Sequence, residues 1–168
     1  MFFKTIFALG AAAGSPAELA KAAGIPARRY TPFLDYPMRD NLRLTVEVAR
    51  RVYPRLALGE ALAEIGRTSF STFLGSHVGR VLVLAVGDSV GDVLALAPKA
   101  YRLSMSFGEV RVVSREARRL VFECFDLPAF IETYQVGTVQ GVFEHFGVTG
   151  RVRVSLQDIA NGAVEASW

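Results

Sequence analysis

Two histidines and one cysteine are the side chains most suited to nucleophilic or metal chemistry, and they stand far apart in the chain. His77 falls within an apolar helical stripe. An imidazole there reads as a core histidine bonded to backbone, as a polar handle inside a ligand pocket, or as an axial ligand to haem or a metal. The core reading is the simplest, because His77, His145 and Cys124 cannot by themselves assemble a multi-ligand metal site, so no metal is expected. His145 lies a turn or less before Gly147, where its charge favours the negative end of a helix, a structural role. Cys124 alternates with Leu120 and Phe122 and should face the core as a small hydrophobe, with acylation as its alternative use. Ser69, Ser71 and Ser76 have no Gly-x-Ser-x-Gly elbow, and no carboxylate–histidine pair is legible. Gly87-Asp88-Ser89-Val90-Gly91-Asp92 lacks both nucleotide-binding spacings and reads as a turn between helices. No catalytic residue and no cofactor is assigned, so a non-enzymatic domain is expected.

Glycines carry the more suggestive spacing. Gly75-x-x-x-Gly79 and Gly137-x-x-x-Gly141 both fall on predicted helices, where each glycine costs about 1 kcal/mol. Two readings stay open. The glycines let helices approach closely, within the chain or across a homodimer seam, or they leave a cavity with His77, Tyr134 and Thr138 on its wall.

The elements that would position these residues follow from periodicity. Met1–Ala13 reads as an amphipathic first helix with Phe2, Phe3, Ile6, Phe7 and Leu9 mostly inward; a short secretory signal is the alternative. Ser15-Pro16-Ala17-Glu18 is a capping box opening a helix to Ala23 that Gly24 ends. Arg28–Met38 is a connector anchored by Tyr30, Phe33, Leu34 and Tyr36. Asp40 caps a helix bearing Leu44, Val48 and Val52, and a short helix runs from Gly59 to about Gly66. A central helix from Phe70 to Val86 has an unbroken stripe that includes Phe73, Val78 and Val81. Asp88 or Ser89 caps a further helix to Ala97, before Pro98. The last 62 residues then read as two hairpins around a helix: strands Gly108–Val113 and Arg118–Phe125, helix Pro128–Phe146, strands Arg151–Gln157 and Ala163–Trp168. Alternation of Val152, Val154 and Leu156 with Arg151, Arg153 and Ser155 implies one covered and one wet sheet face. The fold class is α+β, an N-terminal helical portion with a buried central helix followed by a ββαββ antiparallel portion.

Composition bounds the rest. A chain of 168 residues suits a single domain, 1–168, and 51% hydrophobic residues with a mean hydropathy of +0.30 favour a large core, a cavity or an oligomer face. The arginines occur as separated pairs, Arg28-Arg29, Arg50-Arg51 and Arg118-Arg119, which argues against a nucleic-acid surface. One cysteine fits a reducing, cytoplasmic setting. Val81–Val86 falls far short of the roughly 20 apolar residues of a membrane span.

Several phrases resemble a large paralogous family of uncharacterised myxobacterial proteins. They are Phe2-Phe3-x-x-Ile6, Tyr36-Pro37, Val52-Tyr53-Pro54-x-Leu56, Glu60-Ala61-x-x-x-Ile65-Gly66-Arg67, Phe107-Gly108-Glu109-Val110, Leu127-Pro128-x-Phe130 and the closing Trp168. That family is distantly similar to a fold group of haem nitric-oxide sensors (H-NOX), 4-vinyl-reductase domains and TRAPP-type trafficking subunits. The resemblance implies a sensor or scaffold that holds an apolar small molecule or acyl chain, or docks a partner protein, as a homodimer. A scaffold with a filled core is the alternative, and a small vinyl-reductase-like enzyme ranks last. The haem sensors carry Tyr-x-Ser-x-Arg; Tyr101-Arg102-Leu103-Ser104-Met105 does not supply it, so haem is not expected.

Overall fold

Among the described residues, helices make up most of the chain before β1 and one antiparallel sheet organises the last third. The computed structural model describes residues 2–31, 34, 36–75, 79, 81 and 89–168. Helix α1 (Phe2–Leu9) ends in a short 3-10 turn, Gly10–Ala12. Helix α2 (Pro16–Ala22) opens on the expected capping box: the Ser15 side chain accepts from the Glu18 amide while Glu18 reaches back to the Ser15 amide. Helix α3 (Met38–Val52) buries Leu44 and Val48 completely. It starts at Met38, so Asp40 is a buried first-turn residue and not the cap. In the connector, Tyr30 stacks on Phe3 at 4.5 Å and the Arg28 guanidinium sits 5.0 Å from the Tyr36 ring centre, whereas Leu34 is exposed. Phe33 lies outside the described residues.

The central helix differs most from expectation. Helix α4 runs unbroken from Leu58 to Gly75, joining the short helix ended at Gly66 to the start of the Phe70 stripe. Gly66 does not break it because the seam described below needs a residue without a side chain there. Ala61, Leu62, Ile65 and Phe70 are buried, and α4 belongs to both hydrophobic clusters of the molecule. Most of the expected rod beyond Gly75, including His77 and Val78, lies outside the described residues. Val81, expected on the buried stripe, is 54% exposed.

Helix α5 (Val90–Ala95) is capped by Ser89, whose hydroxyl accepts from the Asp92 amide at 3.1 Å. Helix α6 (Ala97–Ser104) follows at once. Pro98 therefore opens a helix where the sequence reading let it end one; proline fits the first turn, whose amides lack intrahelical acceptors.

Strands β1 (Glu109–Glu116), β2 (Arg119–Phe125), β3 (Arg151–Leu156) and β4 (Gly162–Ser167) form one sheet in the order β1-β2-β4-β3, all antiparallel. The first turn is shorter than expected. Ser114, Arg115 and Glu116 still pair with Val121, Leu120 and Arg119, because a register shift at Val113 lets β1 continue past the bulge. In the second hairpin the Asp158 carboxylate accepts from the amides of Ala160 and Asn161 at 2.7 and 2.9 Å. Asn161 in turn accepts from the Asp126 amide, tying that turn to the end of β2.

The helix between the hairpins starts later than Pro128. Phe130 takes a left-handed backbone (φ 52°), a wider π-helical turn covers Ile131–Gln135, and regular helix α7 spans Val136–His145. Ile131 and Leu127 are fully buried and pin this entry to the core.

Candidate functional site

Helices α4 and α7 lie side by side in the same direction, and their contact has two unlike parts. Along one edge the backbones touch. A Cβ on Gly137 would lie 1.9 Å from the Ala63 carbonyl oxygen, one on Gly66 would lie 2.0 Å from the Tyr134 carbonyl oxygen, and one on Gly141 would lie 2.5 Å from the Arg67 carbonyl oxygen. Three glycines thus form a seam in which no other residue fits without moving a main chain. The Arg67 guanidinium spans the seam's open side, paired with Glu64 and with Glu144. The partner of Gly137-x-x-x-Gly141 is therefore Gly66, not Gly75-x-x-x-Gly79. A Cβ on Gly75 would meet no atom of the described residues within 4 Å, and Gly79 lies against the backbone of Phe73.

Beside that seam the same helices part to leave a cavity of about 140 Å3. Ser69, Phe70 and Phe73 of α4 face Thr138, Val139 and Val142 of α7 across it. Val93 and Leu94 of α5 and Ala97, Ala100 and Tyr101 of α6 close a third side, and Phe122 of β2 contributes an aromatic edge. The wall is mostly carbon, and its polar side chains come from Thr5, Ser69, Tyr101, Tyr134, Gln135 and Thr138.

The Tyr101 hydroxyl donates to the Gln135 side-chain oxygen, and the Gln135 amide donates to the Ala129 carbonyl at 3.1 Å. The π-helical turn sets this geometry by placing consecutive residues Tyr134 and Gln135 both inward. Behind Tyr101, Tyr134 and Gln135 lies a second void of about 20 Å3 bounded by Met38 and Asn41, so these three side chains form a partition. Thr138 donates to the Tyr134 carbonyl at 2.9 Å and offers its methyl face to the space.

Burial pushes the Tyr101 phenol well above its ordinary range. It also raises that of Tyr134, tempered by the Ser69 hydroxyl beside it. Both phenols are therefore neutral hydrogen-bonding groups at ordinary pH. Cys124 is 1% exposed and burial pushes its thiol up to about 11, which makes a resting thiolate nucleophile unfavourable. His145 packs its ring against Phe70 and Phe146 at the end of α7. Among the described residues no group of three or more His, Cys, Asp or Glu side chains is placed to hold a metal ion.

Of the residues singled out from sequence, the structure places Tyr134 and Thr138 on the cavity wall and Gly137 and Gly141 in the seam. Gly75, Gly79 and Cys124 are neither lining residues nor part of the seam, although Gly79 lies against Phe73 and Cys124 stands near Tyr101, both on the wall; His77 lies outside the described residues. Ser69, Ala100, Tyr101 and Gln135 were not read as site residues. The signal for two of them was Pro98 at a helix start, which puts Ala97, Ala100 and Tyr101 on one face.

A helical portion followed by a ββαββ sheet portion is the arrangement of H-NOX domains. The structure superposes on an Fe(II) unliganded H-NOX protein from K. algicida with a TM-score of 0.71 and 16% identity over 99% of this chain and 94% of that one. An oxygen-binding H-NOX domain related to soluble guanylate cyclases gives 0.70 and 17% over 99% and 90%. A variant H-NOX of T. tengcongensis gives 0.67 and 17% over 99% and 92%. The chain belongs to the family described as protein of unknown function (DUF2378), whose model matches residues 1–168. A comparison with curated proteins gives no match. No helix among the described residues is long and apolar enough to cross a membrane.

Proposed function

We propose that this chain is a non-enzymatic sensory domain that binds one small apolar molecule between α4, α6 and α7 and passes occupancy to a partner protein. The observation that carries this reading is the cavity itself. A carbon-lined hollow of about 140 Å3 presents apolar wall that a bound apolar molecule takes out of water, a gain of about 25 cal/mol per Å2 covered. An engineered cavity of close to that volume binds benzene or xenon, which sets the scale of the ligand. That scale favours a ring or a short chain over a long acyl chain, and it disfavours a scaffold with a filled core.

Solved relatives of the fold are described in terms of heme and its distortion, which makes haem the first ligand to test against these residues. They do not fit it. No His, Cys or Met stands among the described lining residues, and the two tyrosines are held neutral by burial. A benzene-sized space is also far too small for a porphyrin.

The domain acts in signalling as a cytoplasmic homodimer in this reading. Its closed glycine seam leaves the exposed faces, and not α7, for self-association. Xenon titration followed by 129Xe NMR tests the binding claim. One saturable site, lost in Ala100→Leu, supports it, and a purely linear shift in both proteins refutes it. Light scattering reports the dimer separately.

A further inference from the structure

Among the described residues, three buried side-chain polar atoms have no hydrogen-bond partner: Asn41 Nδ2, Ser69 Oγ and Thr133 Oγ1. Of these, Ser69 is the one on the wall of the 140 Å3 cavity between α4 and α7. Its residue is 5% exposed, on the fourth turn of a regular helix. A helical serine can satisfy itself by bonding the carbonyl four residues back, as Thr68 and Thr72 do on either side of it at 2.9 and 3.0 Å. Ser69 makes no such bond. Its hydroxyl lies close enough to the Tyr134 phenol to temper the rise in that group's pKa, yet it meets no partner with full hydrogen-bond geometry, and both residues line the cavity.

A buried hydroxyl left unpaired is unfavourable, and native structures resolve such groups with a water or a ligand. The remaining wall is too apolar to give a water the two to four partners it needs except at this spot. A larger occupant with one polar atom satisfies Ser69 and fills the void together.

We infer that the ligand is a small, mainly hydrocarbon molecule carrying one hydroxyl or carbonyl oxygen, held by Ser69 and Tyr134 with its apolar body against Phe73, Val139 and Val142. This rests on the cavity reading above and adds the ligand's polar end. The two hydroxyls can each donate or accept, so an alcohol, a phenol or a ketone meets the requirement, whereas a carboxylate or an amine would bring an uncompensated charge into a carbon-lined space.

The experiment is a calorimetric comparison of benzene and phenol as probes on the wild-type chain and on Ser69→Ala, which is checked for an unchanged circular-dichroism spectrum. In an all-carbon cavity phenol binds more weakly than benzene, because it gives up its bonds to water for nothing. The expected result is that the wild type binds phenol tighter than benzene. Ser69→Ala should keep its benzene affinity and lose roughly five- to tenfold for phenol. Saturable benzene binding with phenol weaker in the wild type would overturn the inference and leave the cavity reading standing. Saturable binding of neither probe would overturn both. The wild-type comparison decides the matter even where Ser69→Ala fails to fold.

Discussion

Two stretches of one helix pair, a few ångströms apart, are packed in opposite ways. At Ala63–Arg67 against Tyr134–Gly141 the main chains touch through glycines, whereas on the neighbouring face the side chains of Ser69, Phe70 and Phe73 and those of Thr138, Val139 and Val142 border a space of about 140 Å3. The contrast separates two explanations of helical glycine that sequence alone cannot tell apart. Here the glycines close a seam, and the cavity lies next to it, bounded by large side chains. Rigid contact on one side is what lets the other side stay open without collapse, since a void persists only where its surroundings cannot relax into it.

The largest effect should come from breaking the seam. Gly137→Ala places a methyl against a carbonyl that cannot rotate away, so urea unfolding should show a loss of about 3 kcal/mol or more. A loss below about 0.5 kcal/mol would mean the helices are not locked at Ala63.

Next is the core behind the cavity, where Cys124 of β2 packs. The unfolded Cys124 thiol titrates near 9.0 and the folded one near 11, so the unfolded chain releases its proton first as pH rises. Stability should therefore be full below about pH 9 and fall by about 2 kcal/mol as pH rises to 11. Cys124→Ala should flatten that decline; an equal slope in both proteins would show that the thiol is not in a water-free setting.

The partition should respond more modestly. Tyr101→Phe leaves the Gln135 oxygen without its phenol donor and should cost about 1–2 kcal/mol in chemical denaturation. An unchanged midpoint would remove the hydrogen bond from the account. The smallest effect tests the control glycine. Gly75→Ala meets none of the described residues within 4 Å and should be neutral or stabilise by up to about 1 kcal/mol, whereas marked destabilisation would break the contrast between Gly75 and the seam glycines.

Much of the frame was legible in the sequence because its signals are local. The capping box at Ser15, the Asn161-Gly162 turn and the alternation in β3 and β4 each need only neighbouring residues to be read. Glycine helices facing one another were also readable as a motif. Their pairing was not, because nothing local distinguishes Gly66 from Gly75 as the partner of Gly137; only the docking of α7 does. Gly66 read as a helix end for the same reason. Helix α6 is hidden in the sequence because a proline after Ala97 signals a helix stop as readily as a helix start, and Ala100 and Tyr101 are hidden with it. The π-helical turn is invisible to 3.6-residue periodicity, yet it is what turns Gln135 inward. Sequence shows Ser69 only as a hydroxyl without a nucleophile elbow, whereas its significance lies in a hydrogen bond it does not make.

Benzene calorimetry on the wild type and on Ala100→Leu tests the central claim most directly. The account predicts one saturable site per chain in the wild type. It predicts no binding in Ala100→Leu, together with a gain in stability of about 1 kcal/mol as the leucine fills the void. Saturable binding that survives Ala100→Leu, or none in the wild type, would contradict it.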